Sequence, residues 1–115
     1  EVKYHLRWSS EWVIRLGDGT EESHSRMIAA IDEIWRYTGE LFVSAAYEQE
    51  SGIDVASLKN DWQNKVKAVF EEATLTVPEN TFMQTGGKTG KHTEHLGYIL
   101  SDLQYMQRAY PGSEW

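Results

Sequence analysis

The chain has no cysteine and only two prolines, and its eleven Lys and Arg stand against eighteen Asp and Glu, a net charge of −7. Without Cys, a disulfide scaffold and a Cys-ligated zinc site are excluded. The composition is compatible with the cytoplasm, which is the expected location. The shortage of positive charge argues against nucleic acid as a partner, because neutralising phosphates needs a basic surface. No apolar run approaches the ~20 residues that span a bilayer, so a membrane is not an expected partner either. With no Cys and no nucleophile-elbow sequence, neither a Cys-His nor a Ser-His-Asp nucleophile set can be argued.

What the chain has in quantity is aromatic surface: five Trp and six Tyr in 115 residues. Aromatics bury large areas, and Tyr and Trp keep a polar end, which suits wide contacts between helices or between subunits. The length is that of one domain or part of one.

Apolar spacing predicts a helical protein. Val2, Leu6, Trp12, Val13 and Leu16 recur at helical intervals and define a first helix from residue 1 to about Leu16. Gly17 suits a left-handed C-cap, and Asp18 with Glu21, or Thr20 alone, can cap the next helix. A second helix is expected from about Glu21 to Glu50. Met27, Ile28, Ile31, Ile34, Trp35, Thr38, Leu41, Phe42 and Ala45 form its stripe, and Gly39 marks a kink or a close helix contact. After the Ser51-Gly52 break, Asp54 caps a third helix running to about Ala73. Thr74 to Lys91 reads as an extended, irregular segment. A fourth helix runs from about Thr93 to Ala109 and stops at Pro111-Gly112. The class is all-α, a helical bundle. Helical periodicity begins at Glu1 with no capping residue ahead of it, so the sequence is expected to be the C-terminal piece of a longer protein.

Four constellations carry chemistry on paper. Glu1 and His5 share a helix face with Trp8 and Trp12, a face expected to be buried. Di-iron carboxylate bundles place Glu and His three apart, as Glu-x-x-His. Here the gap is four, and the position three before His5 holds Val2. A hydrogen-bonded core pair, the remnant of a metal site, is the plainer reading. Glu21-Glu22-Ser23-His24 has the literal Glu-x-x-His spacing, but it falls in the first turn of a helix, where acidic residues favour the helix dipole and act as caps. Gly86-Gly87-Lys88-Thr89-Gly90-Lys91-His92 departs from the phosphate-loop pattern: position 85 is Thr85, His92 follows Lys91, and no strand precedes it. A weaker function remains, an anion-binding loop using its backbone amides with Lys88, Lys91 and His92, set against a plain flexible loop. His92 and His95, three apart, would share a face if both were helical, with no third ligand in sight; structural hydrogen bonding is the plainer reading.

Three stretches are distinctive as strings: Glu1-Val2-Lys3-Tyr4-His5-Leu6-Arg7-Trp8; Trp12-Val13-Ile14-Arg15-Leu16-Gly17-Asp18-Gly19-Thr20-Glu21-Glu22-Ser23-His24; and His92-Thr93-Glu94-His95-Leu96-Gly97-Tyr98. The chain resembles the C-subunit family of phenylacetyl-CoA epoxidase, a bacterial multicomponent oxygenase, along its whole length. The resemblance implies a ferritin-like helical fold, with residues 1–115 the C-terminal part of a single such domain whose other helices lie upstream. It implies a non-catalytic, structural role, with no cofactor bound by the chain itself. The implied partners are a catalytic A subunit holding the di-iron centre and the other subunits of the complex. Val2, at the place of an iron-binding Glu, agrees with that role. Two rival readings accompany it. One is a di-iron enzyme in its own right, using Glu1, His5, Glu21 and His24; the other is a coenzyme A binding module using the Gly-rich loop.

Overall fold

The computed structural model describes residues 1–114, and among them there are helices and turns but no strand. The all-α expectation holds. Six α-helices follow in chain order: α1 (Val2–Gly17), α2 (Glu21–Ile34), α3 (Ala46–Glu50), α4 (Lys59–Glu72), α5 (His95–Leu103) and α6 (Tyr105–Ala109). The chain divides into two compact units, Glu1–Thr85 and the residues from Gly86 onward.

In the first unit α1 packs on both α2 and α4. Gly17 ends α1 without turning left-handed; the glycines with positive φ are Gly52, Gly86, Gly90 and Gly112. This corrects the C-cap expectation. Gly17 is required for space instead: a Cβ there would lie 2.5 Å from the Ala73 carbonyl oxygen and 2.8 Å from the Ala73 Cβ. The cap of α2 is Thr20 paired with Ser23. The Thr20 Oγ1 accepts from the Ser23 amide at 3.1 Å and the Ser23 Oγ accepts from the Thr20 amide at 3.0 Å. A serine thus takes the place that Glu or Gln holds in a standard capping box.

The long second helix is not observed. α2 stops at Ile34, and two 3₁₀ turns follow, Trp35–Tyr37 and Gly39–Phe42, before the short α3. The carbonyl that a continuing helix would offer to Glu40 is that of Arg36, and it accepts instead from the Gln84 amide at 2.8 Å. Thr38 tightens the turn, its amide and its Oγ1 both donating to the Trp35 carbonyl. Gly39 is a close contact as expected, although its neighbour is Met83 of the irregular segment rather than a helix. Asp54 caps as predicted: its Oδ1 accepts from the Ser57 amide at 3.2 Å, opening the 3₁₀ turn Ala56–Leu58 that leads into α4.

α4 closes in a Schellman motif. The Leu75 amide donates to the Phe70 carbonyl at 2.9 Å and the Thr74 amide to the Glu71 carbonyl at 3.3 Å, with Thr74 left-handed at φ 57°. The motif turns Leu75 inward, and Leu75 joins Ile31, Trp35 and Ala73 as the buried centre of the core.

In the second unit the predicted fourth helix is two helices. α5 ends at Leu103, Gln104 sits at φ −99° and ψ 4°, and α6 resumes at Tyr105. No residue of this unit is buried among those described.

Candidate functional site

The α1 face carrying Glu1, His5, Trp8 and Trp12 is exposed, with Trp8 at 53% and Val2 at 82% of their full exposure. This overturns the expected burial. In the last turns of α1, Val13 and Ile14 pack against the buried cluster, whereas residues 1–9 are all exposed. Along α1, Trp8 meets Trp12 edge-on at 6.2 Å between centroids, and Tyr4 meets His5 edge-on at 5.8 Å.

Glu21 and His24 also part company. Glu21 and Glu22 occupy the first turn of α2, and Glu22 pairs with Arg26 at 2.6 Å. His24 turns the other way: its Nδ1 lies 2.6 Å from the Gly17 carbonyl oxygen. A carbonyl only accepts, so Nδ1 carries the proton. The Thr74 Oγ1 donates to the same carbonyl at 3.3 Å and lies 3.5 Å from Nδ1. One carbonyl thereby joins the end of α1, the start of α2 and the end of α4. In the sequence His24 is visible only as a literal motif match. The missing signal is tertiary, the convergence of three helix ends on Gly17.

Glu1 and His5 are exposed at the start of α1, Val2 offers no ligand atom, and His24 gives its Nδ1 proton to Gly17, which leaves Nε2 as the ring nitrogen with a lone pair. Among the described residues no group of three or more His, Asp or Glu is placed to hold a metal ion.

In the Gly-rich loop, Gly86 and Gly90 are left-handed at φ 106° and 89°, flanking a 3₁₀ turn Gly87–Thr89. The Gly86 carbonyl accepts from the Thr89 amide at 3.1 Å, the Lys91 amide at 2.8 Å and the Thr89 Oγ1 at 3.1 Å, and the Gly87 carbonyl accepts from the Gly90 amide. The amides of Thr89, Gly90 and Lys91 are thus spent inside the loop. Those three amides are therefore not open to an anion. Helix α5 begins only at His95, with Glu94 at its cap, so His92 lies outside the helix and shares no helical face with His95.

The concave feature of the first unit that the sequence does not announce is a half-open groove of about 590 Å³ between the Trp35–Phe42 turns, α4 and the segment after Leu75. Its floor is aromatic: Trp35 lies 5.8 Å from both Trp62 and Phe70, and Phe42 lies 5.2 Å from Trp62, between ring centroids. Lys59, Gln63 and Lys67 stand on the rim, with Lys67 near Glu71 at 3.8 Å. The floor is apolar, and Glu71 and Glu79 also line the groove.

The chain as a whole has a counterpart among known proteins. The family model for phenylacetic acid catabolic proteins, the PaaA and PaaC group, matches residues 1–115, and the chain belongs to that family. It is 45% identical over 120 residues to the C subunit of 1,2-phenylacetyl-CoA epoxidase from Escherichia coli strain K12, a match covering 100% of this chain and 48% of that relative. The chain therefore spans about half the length of the curated relative it matches. The all-helical architecture agrees with the ferritin-like helical class expected from the sequence. No helix among the described residues is long and apolar enough to cross a membrane.

Proposed function

We propose that this chain belongs to a non-catalytic, structural subunit of an epoxidase complex that acts on phenylacetyl-CoA in aerobic phenylacetate breakdown. The observation that carries this is the 45% identity to the C subunit of such an epoxidase, sustained over the whole chain. The protein pairs with a catalytic A subunit, and with the other subunits of the complex, in the cytoplasm. The di-iron centre belongs to that catalytic partner and not to this chain. Two features support the division of labour. Val2 stands where a carboxylate ligand would be needed, and the helices present large exposed aromatics suited to a partner.

The test is co-expression of the catalytic partner with and without the full-length protein that contains this sequence. Soluble yield of the catalytic partner and epoxidation of phenylacetyl-CoA should both fall when it is left out. Full activity and stability in its absence would overturn the proposal. Stoichiometric iron retained by the purified full-length protein on its own would favour the reading in which it is a di-iron enzyme itself.

A further inference from the structure

Residues 76–83 cross the first unit with little to tie their backbone down. The Leu75 amide is held by the Phe70 carbonyl, and the next backbone group bonded along the chain is the Gln84 amide, on the Arg36 carbonyl. Between them no backbone amide or carbonyl of residues 76–83 is hydrogen-bonded to the described residues. Helix and sheet would pair these groups internally. What holds the segment is apolar: Val77 and Met83, both half-buried, pack against the core cluster, while Phe82 is 72% exposed. The two ends are unequal. Leu75 is buried and locked by the Schellman motif at the end of α4, whereas the other end rests on the Gln84 bond and on the contact of Met83 with Gly39.

The same segment divides two hollows. Leu75, Thr76, Val77, Pro78 and Glu79 line both the aromatic groove and a second hollow of about 470 Å³, whose opposite side includes Ile28 and Ile31 of α2. Ile31 on one side and Trp35 on the other are one helical turn apart, with the Trp35 amide on the Ile31 carbonyl, and both belong to the buried cluster. The two floors are therefore one apolar surface, and the segment is what parts them.

We infer that residues 76–83 are a strap that lifts from the core as a unit while α1, α2 and α4 stay folded, and that lifting joins the two hollows into one apolar trough across Ile31 and Trp35. The strap swings from Leu75 and releases at Gln84. Release breaks one backbone bond and uncovers two half-buried side chains, and openings that small occur far more often than global unfolding. The inference goes beyond the proposed function and is independent of whether the protein is catalytic.

The test uses the full-length protein that contains this sequence, with Gly39→Cys and Met83→Cys introduced together and any cysteine outside this sequence changed to serine. A Cβ at Gly39 would lie 3.0 Å from the Met83 Cβ, close enough for a disulfide after a small shift, so oxidation pins the releasing end. Hydrogen exchange is followed by NMR in the reduced and oxidised forms. Reduced, the Gln84 amide and the Trp35 indole N–H should exchange together, at least about a hundredfold faster than amides in the middle of α4. Oxidised, both should slow by about tenfold or more with α4 unchanged. In the wild type, chymotrypsin should cut after Phe82 while helicity by circular dichroism is retained, a readout that does not depend on the cysteine pair. Three results would overturn the inference: Gln84 exchanging in step with α4, Trp35 staying protected while Gln84 opens, or resistance at Phe82 until the whole protein unfolds.

Discussion

Gly17 and Ala73 approach so closely that a single added methyl at Gly17 would meet the Ala73 carbonyl oxygen at 2.5 Å. The contact is backbone against backbone, so no side-chain rotation relieves it. Gly17→Ala gains helix propensity worth at most about 1 kcal/mol, but overpacking of a closed site costs about 1–3 kcal/mol or more. The clash wins, and the substitution should destabilise the chain. A lowered urea midpoint at unchanged m-value would show it, and a midpoint equal to or above wild type would contradict the contact.

The Gly17 carbonyl also receives His24, and this fixes a tautomer. Nitrogen chemical shifts of the His24 ring should report a protonated Nδ1. Replacing His24 by Phe removes a donor from a carbonyl that keeps only the longer Thr74 bond. The loss should be about 1 kcal/mol, the net worth of an ordinary hydrogen bond, and reading it requires only chemical denaturation. A deprotonated Nδ1 would refute the assignment directly.

The contrast between His5 and His24 shows how far the sequence can be read. Helix class, the α1 boundaries, the turn at Gly17–Thr20, the Asp54 cap and the irregular stretch after Ala73 all follow from local spacing and capping chemistry, which depend on near neighbours. The exposure of α1 is not legible, because periodicity reports that a helix has an apolar face and not what covers it. The early end of α2 is not legible either, because Arg36 gives its carbonyl to Gln84, a partner forty-eight residues away that no local pattern announces. Gly17 and His24 invite local roles for the same reason: their real partners lie at the ends of other helices.

Thr74 holds a left-handed conformation, φ 57°, that a β-branched residue adopts at a cost. Its hydroxyl offsets part of that cost through the bond to Gly17. Thr74→Val keeps the strain and deletes the hydroxyl, whereas Thr74→Gly removes both. The glycine variant should therefore be more stable than the valine variant by roughly 1–2 kcal/mol. Thermal melts of the pair side by side suffice, and equal melting points would remove Thr74 strain from the account.

Gly39 offers the cleanest test of how the aromatic groove is walled. A Cβ there would lie 2.7 Å from the Met83 Cγ and 3.0 Å from its Cβ. Met is flexible, so Gly39→Ala should cost only about 1 kcal/mol, the lower end of overpacking. Met83→Ala alone should cost more, about 2 kcal/mol, since it strips a half-buried side chain from the groove wall. If the two residues meet as the structure places them, the costs do not add, because once Met83 is truncated the alanine at 39 has room. The double variant should then be no less stable than Met83→Ala. Full additivity in denaturant titrations would mean that Gly39 and Met83 do not touch, and that the segment after Leu75 does not form that wall.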